Sequence, residues 1–168
     1  GDAIALDDAS LQRAKELFGN SNQIYGHKDS RIYDVQIAPA EVEKVLQKVR
    51  GVESGSYFAT AGQDGEGRIW HAGEGIETTC CWVLRPTSYS KHESLRATFG
   101  PSHSRQVALG TARGIVSIHE LDPSVMVAPC TTELCHAEME QVYFCDYLPG
   151  GDMLVSGCDD SLKMWDLT

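Results

Sequence analysis

One pattern occurs three times in this 168-residue chain, and repetition on that scale settles the architecture before any single strand is assigned. Its clearest copies read I-x-x-V-x-I-x-P (Ile32, Val35, Ile37, Pro39) and V-x-x-C-x-Y-x-P (Val142, Cys145, Tyr147, Pro149). Each is followed by a small-residue strand, a tight acidic turn and a strand that ends on Trp70 or Trp165. Repeats of this kind describe a scaffold; they do not name its partner.

The periodicities fill in the elements. Ile32 to Ile37 alternates as a strand does, with Asp34 and Gln36 on the face opposite Val35 and Ile37. Residues 57–62 form a second strand, Gln63-Asp64-Gly65 a turn and Gly67 to Trp70 a third strand. Between the first two strands, Val42, Val45, Leu46 and Val49 fall on one face of a helix. Acids at Glu41 and Glu43, bases at Lys48 and Arg50, and Gly51 mark its two ends. Repeat lengths identify this helix as an insertion: Pro39 to Trp70 spans 31 positions, Pro101 to His119 spans 18, and Pro149 to Trp165 spans 16. Its apolar stripe is expected to pack back onto the parent sheet, the alternative being a docking helix for a partner.

The second repeat is degenerate. Its strands are expected at Thr78–Leu84, Val107–Thr111 and Ile115–His119, with Ala97 and Phe99 leading to Pro101. The third is expected to begin with a strand at Val125–Val127 and to continue through Val142–Tyr147, Leu154–Gly157 and Leu162–Trp165. Ahead of the repeats, residues 7–19 read as a short helix ended by Gly19, and Asn22–Tyr25 as a strand.

Composition narrows the function classes. The net charge of −10 is concentrated: residues 120–168 hold ten acids and one base, Lys163, whereas the first 119 carry 14 acids and 13 bases. Such a field repels phosphate backbones, so nucleic acid is not expected, and it favours proteins with basic surfaces. The plain reading is a solvated acidic rim. No stretch approaches the roughly 18 apolar residues of a membrane span, and no basic-then-apolar leader is visible. Six cysteines (80, 81, 130, 135, 145, 158) are expected to be reduced rather than paired. Cys145 and Cys158 take core positions of the repeat, and Cys80 and Cys81 are adjacent and point to opposite faces. That usage places the chain in the cytoplasm or nucleus.

Three groups of residues in each of two repeats carry a resemblance: Gly26-His27, Phe58-Ala-Thr-Ala-Gly-Gln-Asp64 and Arg68-Ile-Trp70 in the first; and Cys135-His136, Leu154-Val-Ser-Gly-Cys-Asp159-Asp160 and Lys163-Met-Trp165-Asp166 in the third. The chain resembles the WD40-repeat family over residues 22–168. The resemblance implies an all-β propeller segment of three antiparallel blades. The repeats cover about 22–71, 76–121 and 125–168, after a helical extension over 1–21. It also implies a buried relay, in which a Trp indole bonds a hydroxyl, the hydroxyl a His, and the His an Asp. Carried over, the first relay is His27, Thr60, Asp64 and Trp70. The third is His136, Ser156, Trp165 and either Asp159 or Asp160, with Asp160 placed in the relay. In the second repeat Leu109, Arg113 and His119 replace the hydroxyl, the Asp and the Trp. That blade is expected to be held by apolar packing alone and to be the least protected.

A sequence repeat in this family begins on the outer strand of the preceding blade, and three blades do not close a ring. Missing blades are expected from the rest of a longer chain, from a partner or from a second copy. Partners in the family bind mainly on the narrow top face, which here maps to Tyr33, Gln63, Tyr143 and Asp159. The expected function is a non-enzymatic interaction scaffold or adaptor. The alternatives are a half-propeller completed by another chain or by homodimerisation, and a propeller enzyme or metal-binding protein. No cofactor is implied. Cys130, Cys135 and His136 lack a common zinc spacing, and the innermost strands read mostly apolar, without a titratable cluster.

Overall fold

A computed structural model describes residues 27, 30–73, 78–87 and 92–168. The expected helix at 7–19 and strand at 22–25 lie outside the described residues. The remainder is mostly β-sheet with one short helix.

Strand β1 (Ile32–Ile37) leads into helix α1 (Ala40–Arg50), then β2 (Ser56–Gly62), β3 (Gly67–Ala72) and β4 (Thr78–Leu84). These strands pair antiparallel in order, and a short β8 (Val127–Ala128) adds to β4 in parallel. The second sheet is β5 (Ser94–Phe99), β6 (Gln106–Thr111), β7 (Ile115–Glu120) and β9 (Cys130–Cys135). The third has three strands, β10 (Phe144–Tyr147), β11 (Met153–Gly157) and β12 (Leu162–Asp166). All three sheets are open.

The strand expected at Val125–Val127 is therefore corrected. The outer strand of the second sheet is β9, and only Val127–Ala128 pairs upstream of it, with β4 of the first sheet. The repeat pattern placed a strand here but did not say which sheet would take it, and gave no sign of β9. Pro129 separates the two pieces, and their partners differ.

Helix α1 packs back onto its parent sheet, burying Val42 and Leu46 with Tyr57 and Trp82. Gln47 Nε2 donates to the Gly55 carbonyl at 2.8 Å, and the Arg50 guanidinium lies 5.1 Å from the Trp82 ring centre. The helix ends on Gly51, whose φ of 66° lets the chain turn left-handed while Gly51 and Val52 N–H bond the carbonyls of Lys48 and Gln47.

Two cores join the sheets face to face. Ala59, Ala61, Ile69 and Leu84 of the first sheet meet Ala97, Phe99, Val107 and Leu109 of the second. Ala108, Val116 and Ile118, on the second sheet's other face, meet Val142, Cys145 and Leu154. The second sheet is thus covered on both sides. The first and third leave one apolar face exposed each: Val35 and Ile37 on one, Leu162 and Met164 on the other. Turns keep the sheets close. Gly114, at φ 76°, passes so near Ala137 that an added Cβ would sit 1.6 Å from its carbonyl oxygen.

This arrangement argues against the expectation that the second repeat is the least protected. Burial on both faces outweighs the loss of its relay residues. In amide hydrogen exchange, β6 and β7 should protect longest and β1 and β12 exchange first; faster exchange in β6 than in β12 would contradict this.

Candidate functional site

In the first sheet, β2, β3 and the turn between them, with His27 ahead of β1, bring four side chains into one relay. Trp70 Nε1 donates to Thr60 Oγ1 at 2.9 Å, and Thr60 Oγ1 lies 2.7 Å from His27 Nε2. The Asp64 carboxylate beside Nδ1 can only accept, so the single proton of the neutral ring sits on Nδ1, and Nε2 accepts from the Thr60 hydroxyl. His27 Nδ1–H then donates to Asp64 Oδ1 at 2.9 Å. Gly62 makes room for the ring: a Cβ there would lie 2.3 Å from Nδ1. Burial lowers the His27 pKa, offset by its bond to Asp64 and reinforced by the Arg68 charge. Burial alone would raise the Asp64 carboxyl, but bonds from Arg68, His27 and the Glu66 N–H outweigh it and hold the group below its usual range.

Sequence reading missed the charged collar around this relay. Arg68 Nη1 donates to Asp64 Oδ2 at 2.7 Å and lies 2.5 Å from His27 Nδ1. Glu66, buried, accepts from Arg68 and, at 2.6 Å, from Arg85 Nε. The signal was available. Arg68 lies opposite Thr60 across β2–β3, and Lys163 lies opposite Ser156 across β11–β12. A base two residues before each Trp recurs at one register position.

The third sheet builds its relay differently. Trp165 Nε1 donates to Ser156 Oγ at 2.8 Å, and Ser156 lies 2.6 Å from His136 Nδ1. The ring is reversed relative to His27, and His136 Nε2 bonds Ser161 Oγ at 3.0 Å. Asp160 is therefore corrected as the relay's fourth member. Its turn is one residue shorter, Asp159 and Asp160 are both exposed, and Ser161 reaches the imidazole instead. Lys163 Nζ donates to the His136 carbonyl. Burial, then the Lys163 charge, lowers the His136 pKa.

The second sheet is not held by apolar packing alone. His119, fully buried, donates from Nδ1 to the Ala128 carbonyl at 3.3 Å and accepts at Nε2 from Ser117 Oγ at 3.0 Å. Burial lowers its pKa too. A two-membered pair on one strand replaces the four-membered relay, and every member is satisfied.

The first strands also proved more polar in role than their composition suggested. Asp34 Oδ2 accepts from the Ala97 N–H at 3.0 Å, and its Oδ1 from Arg96 at 3.4 Å. Thr98 Oγ1 donates to Asp146 Oδ1 at 2.9 Å. These bonds staple β1 to β5 and β5 to β10.

Tyr33, Gln63, Tyr143 and Asp159, expected on resemblance to face a partner, are all exposed. Gln63 is tied to the start of β1: its N–H donates to the Arg31 carbonyl at 2.8 Å. Tyr33 follows two residues on, and desolvation with the neighbouring Glu93 carboxylate pushes its hydroxyl pKa up. Tyr143 N–H donates to the Gly157 carbonyl at 3.1 Å, two residues before Asp159. The structure thus gathers them two by two, at the hairpin ends of the first and third sheets.

All six cysteines are free thiols. Burial raises the Cys145 pKa to about 12 and the Cys80 pKa to about 11. Both are protonated at neutral pH and are poor nucleophiles. Among the described residues no group of three or more His, Cys, Asp and Glu is placed to hold a metal ion. No helix among them is long and apolar enough to cross a membrane.

Residues 128–166 match the family model of the WD domain, G-beta repeat. The matched stretch runs from the end of β8 through β9, β10 and β11 to the last residue of β12. The chain carries a WD40 repeat there, and the resemblance read from its residues stands. Among curated proteins, none matches the chain.

His27, His119 and His136 should make folding pH-dependent. Each has a folded pKa below the 6.5 of an ordinary imidazole, so below about pH 6.5 the unfolded chain binds protons that the folded chain refuses. Stability is full above that pH and is lost as pH falls through it. Each such imidazole steepens the slope by at most about 1.4 kcal/mol per pH unit. Urea midpoints should fall from pH 7.5 to pH 5.5, with a shallower fall in His119→Gln. A midpoint that rises on acidification would contradict the relays.

Proposed function

We propose that the three sheets are successive blades of a WD40-type propeller, and that the chain is a non-enzymatic scaffold or adaptor for other proteins. WD-repeat domains are typically interaction scaffolds. The observation that carries the reading is the pairing of rigid relays with an exposed rim. His27 and His136 pin the hairpins beside which Tyr33, Gln63, Tyr143 and Asp159 stand exposed. Aromatic side chains held on a stiff frame lose little entropy on binding and suit hot-spot roles.

The partner surface we infer is basic. Asp152, Asp159, Asp160 and Asp166 are all exposed on the third sheet and its turns. The relay histidines hold the fold, and the raised thiol pKa values leave Cys80 and Cys145 without nucleophilic character, which favours a scaffold over an enzyme. Six free thiols favour a reducing compartment, cytoplasm or nucleus. We take the repeats to occupy residues 22–168.

Immobilised chain and a Tyr33→Ala/Tyr143→Ala double variant would be compared for captured proteins, at about 0.15 M and 0.5 M salt. The double variant should lose the captured set, and high salt should weaken it for the natural chain. Capture that is indifferent to both changes would refute this partner face.

A further inference from the structure

The two exposed faces are the same kind of surface that the molecule buries elsewhere. Counting back from Pro39, Pro101 and Pro149 aligns Val35 with Ala97 and Cys145, and Ile37 with Phe99 and Tyr147. Ala97 and Cys145 are 0% exposed and Phe99 7%, because a preceding sheet covers them; Val35 is 55% and Ile37 74% exposed. This is the head of the first sheet. The residues before Trp70, His119 and Trp165 align in the same way. Ile69 is 0% and Ile118 2% exposed under a following sheet, whereas Met164 is 63% exposed, with Leu162 beside it at 75%. This is the tail of the third sheet.

Each internal joint sets a tail on a head and adds one polar contact at the hairpin end. Ser94 Oγ, at the start of β5, donates to the Gly65 carbonyl in the first sheet's turn at 2.9 Å. Val142 N–H, just before β10, donates to the Thr111 carbonyl at the second sheet's turn at 3.0 Å. By the same rule, the unused turn of the third sheet would meet the start of β1. That turn carries Asp159 and Asp160, both exposed, and the start of β1 carries exposed Arg31. Opposite charges stand where a third joint would bring them together.

We propose that the two open faces cover each other between two copies of this chain, tail on head twice over, closing a ring of six sheets. The proposal rests on reading the three sheets as successive blades. A tail-to-head contact is heterologous, so it either closes or polymerises. Two copies related by a twofold axis use both open faces of both chains and leave none over. Six sheets also fall within the roughly 4–8 blades of known propellers.

Sedimentation equilibrium of the 168-residue chain tests this directly. The expected mass is twice the 18.4 kDa of one chain. Ile37→Lys spoils the head and Met164→Glu the tail, so each variant alone should sediment as a monomer. Mixed in equal amounts they should form a dimer again, through the one joint that keeps an intact head and an intact tail. Circular dichroism checks that both variants are folded; Val35→Glu and Leu162→Lys replace either that is not. A monomeric natural chain, a mass that grows without limit, or a dimer indifferent to these substitutions would overturn the proposal. If the natural chain is monomeric yet still loses its captured proteins on Tyr33→Ala/Tyr143→Ala substitution, only the ring of two copies fails. If neither property appears, the scaffold reading fails with it.

Discussion

A single buried hydroxyl oxygen has to serve an indole and an imidazole at once, and the outer sheets are organised around that demand. Thr60 and Ser156 each accept from a Trp on the neighbouring strand and turn their own proton toward a His that enters from a loop. A buried polar group without a partner costs about 1–3 kcal/mol, so the register of β2 on β3 and of β11 on β12 cannot slip without stranding several such groups together. The imidazole must be neutral to accept from the hydroxyl. Desolvation supplies this by lowering the pKa of both rings. Structure and protonation state are therefore one constraint.

Face-to-face packing does the rest. A sheet whose two sides are both apolar needs cover on both, and the second sheet has it. With Ala108, Val107, Leu109, Val116 and Ile118 shielded, it dispenses with the relay and holds only the Ser117–His119 pair in its place. The relay is strongest in the sheets that lack a neighbour on one side. Polar staples between the first strands, Asp34 to Ala97 and Thr98 to Asp146, fix the sheets against one another where apolar contact alone would let them slide.

The sequence disclosed the repeats because their markers are chemically distinctive: a Trp two residues after a base, a hydroxyl within a run of small residues, a His after a turn. Helix α1 was legible from its 3.6-residue stripe and its end charges. The placement of the strands near residues 125–135 was not, since the repeat pattern says nothing about which edge a strand will join, and Pro129 splits the run between two sheets. Ser161 escaped notice because a shortened turn moves the next hydroxyl, rather than a carboxylate, within reach of His136. The Arg68–Glu66–Arg85 collar was legible only in part: the base two residues before each Trp recurs in the sequence, but Arg85 reaches Glu66 only when β3 and β4 lie side by side. The assignment of Tyr33, Gln63, Tyr143 and Asp159 to a partner face came from family resemblance alone, and all four are exposed.

The relay is best tested by nitrogen-15 chemical shifts of the imidazole rings at pH 7. With both pKa values lowered the rings are neutral at pH 7; the Asp64 carboxylate then accepts the proton carried on His27 Nδ1 in a hydrogen bond, while the Ser156 hydroxyl turned to His136 Nδ1 leaves the proton of that ring on Nε2, the opposite tautomer. Two neutral rings with that opposition would establish the hydroxyl-centred relay in solution. A protonated imidazolium at either position, or the same tautomer at both, would contradict it.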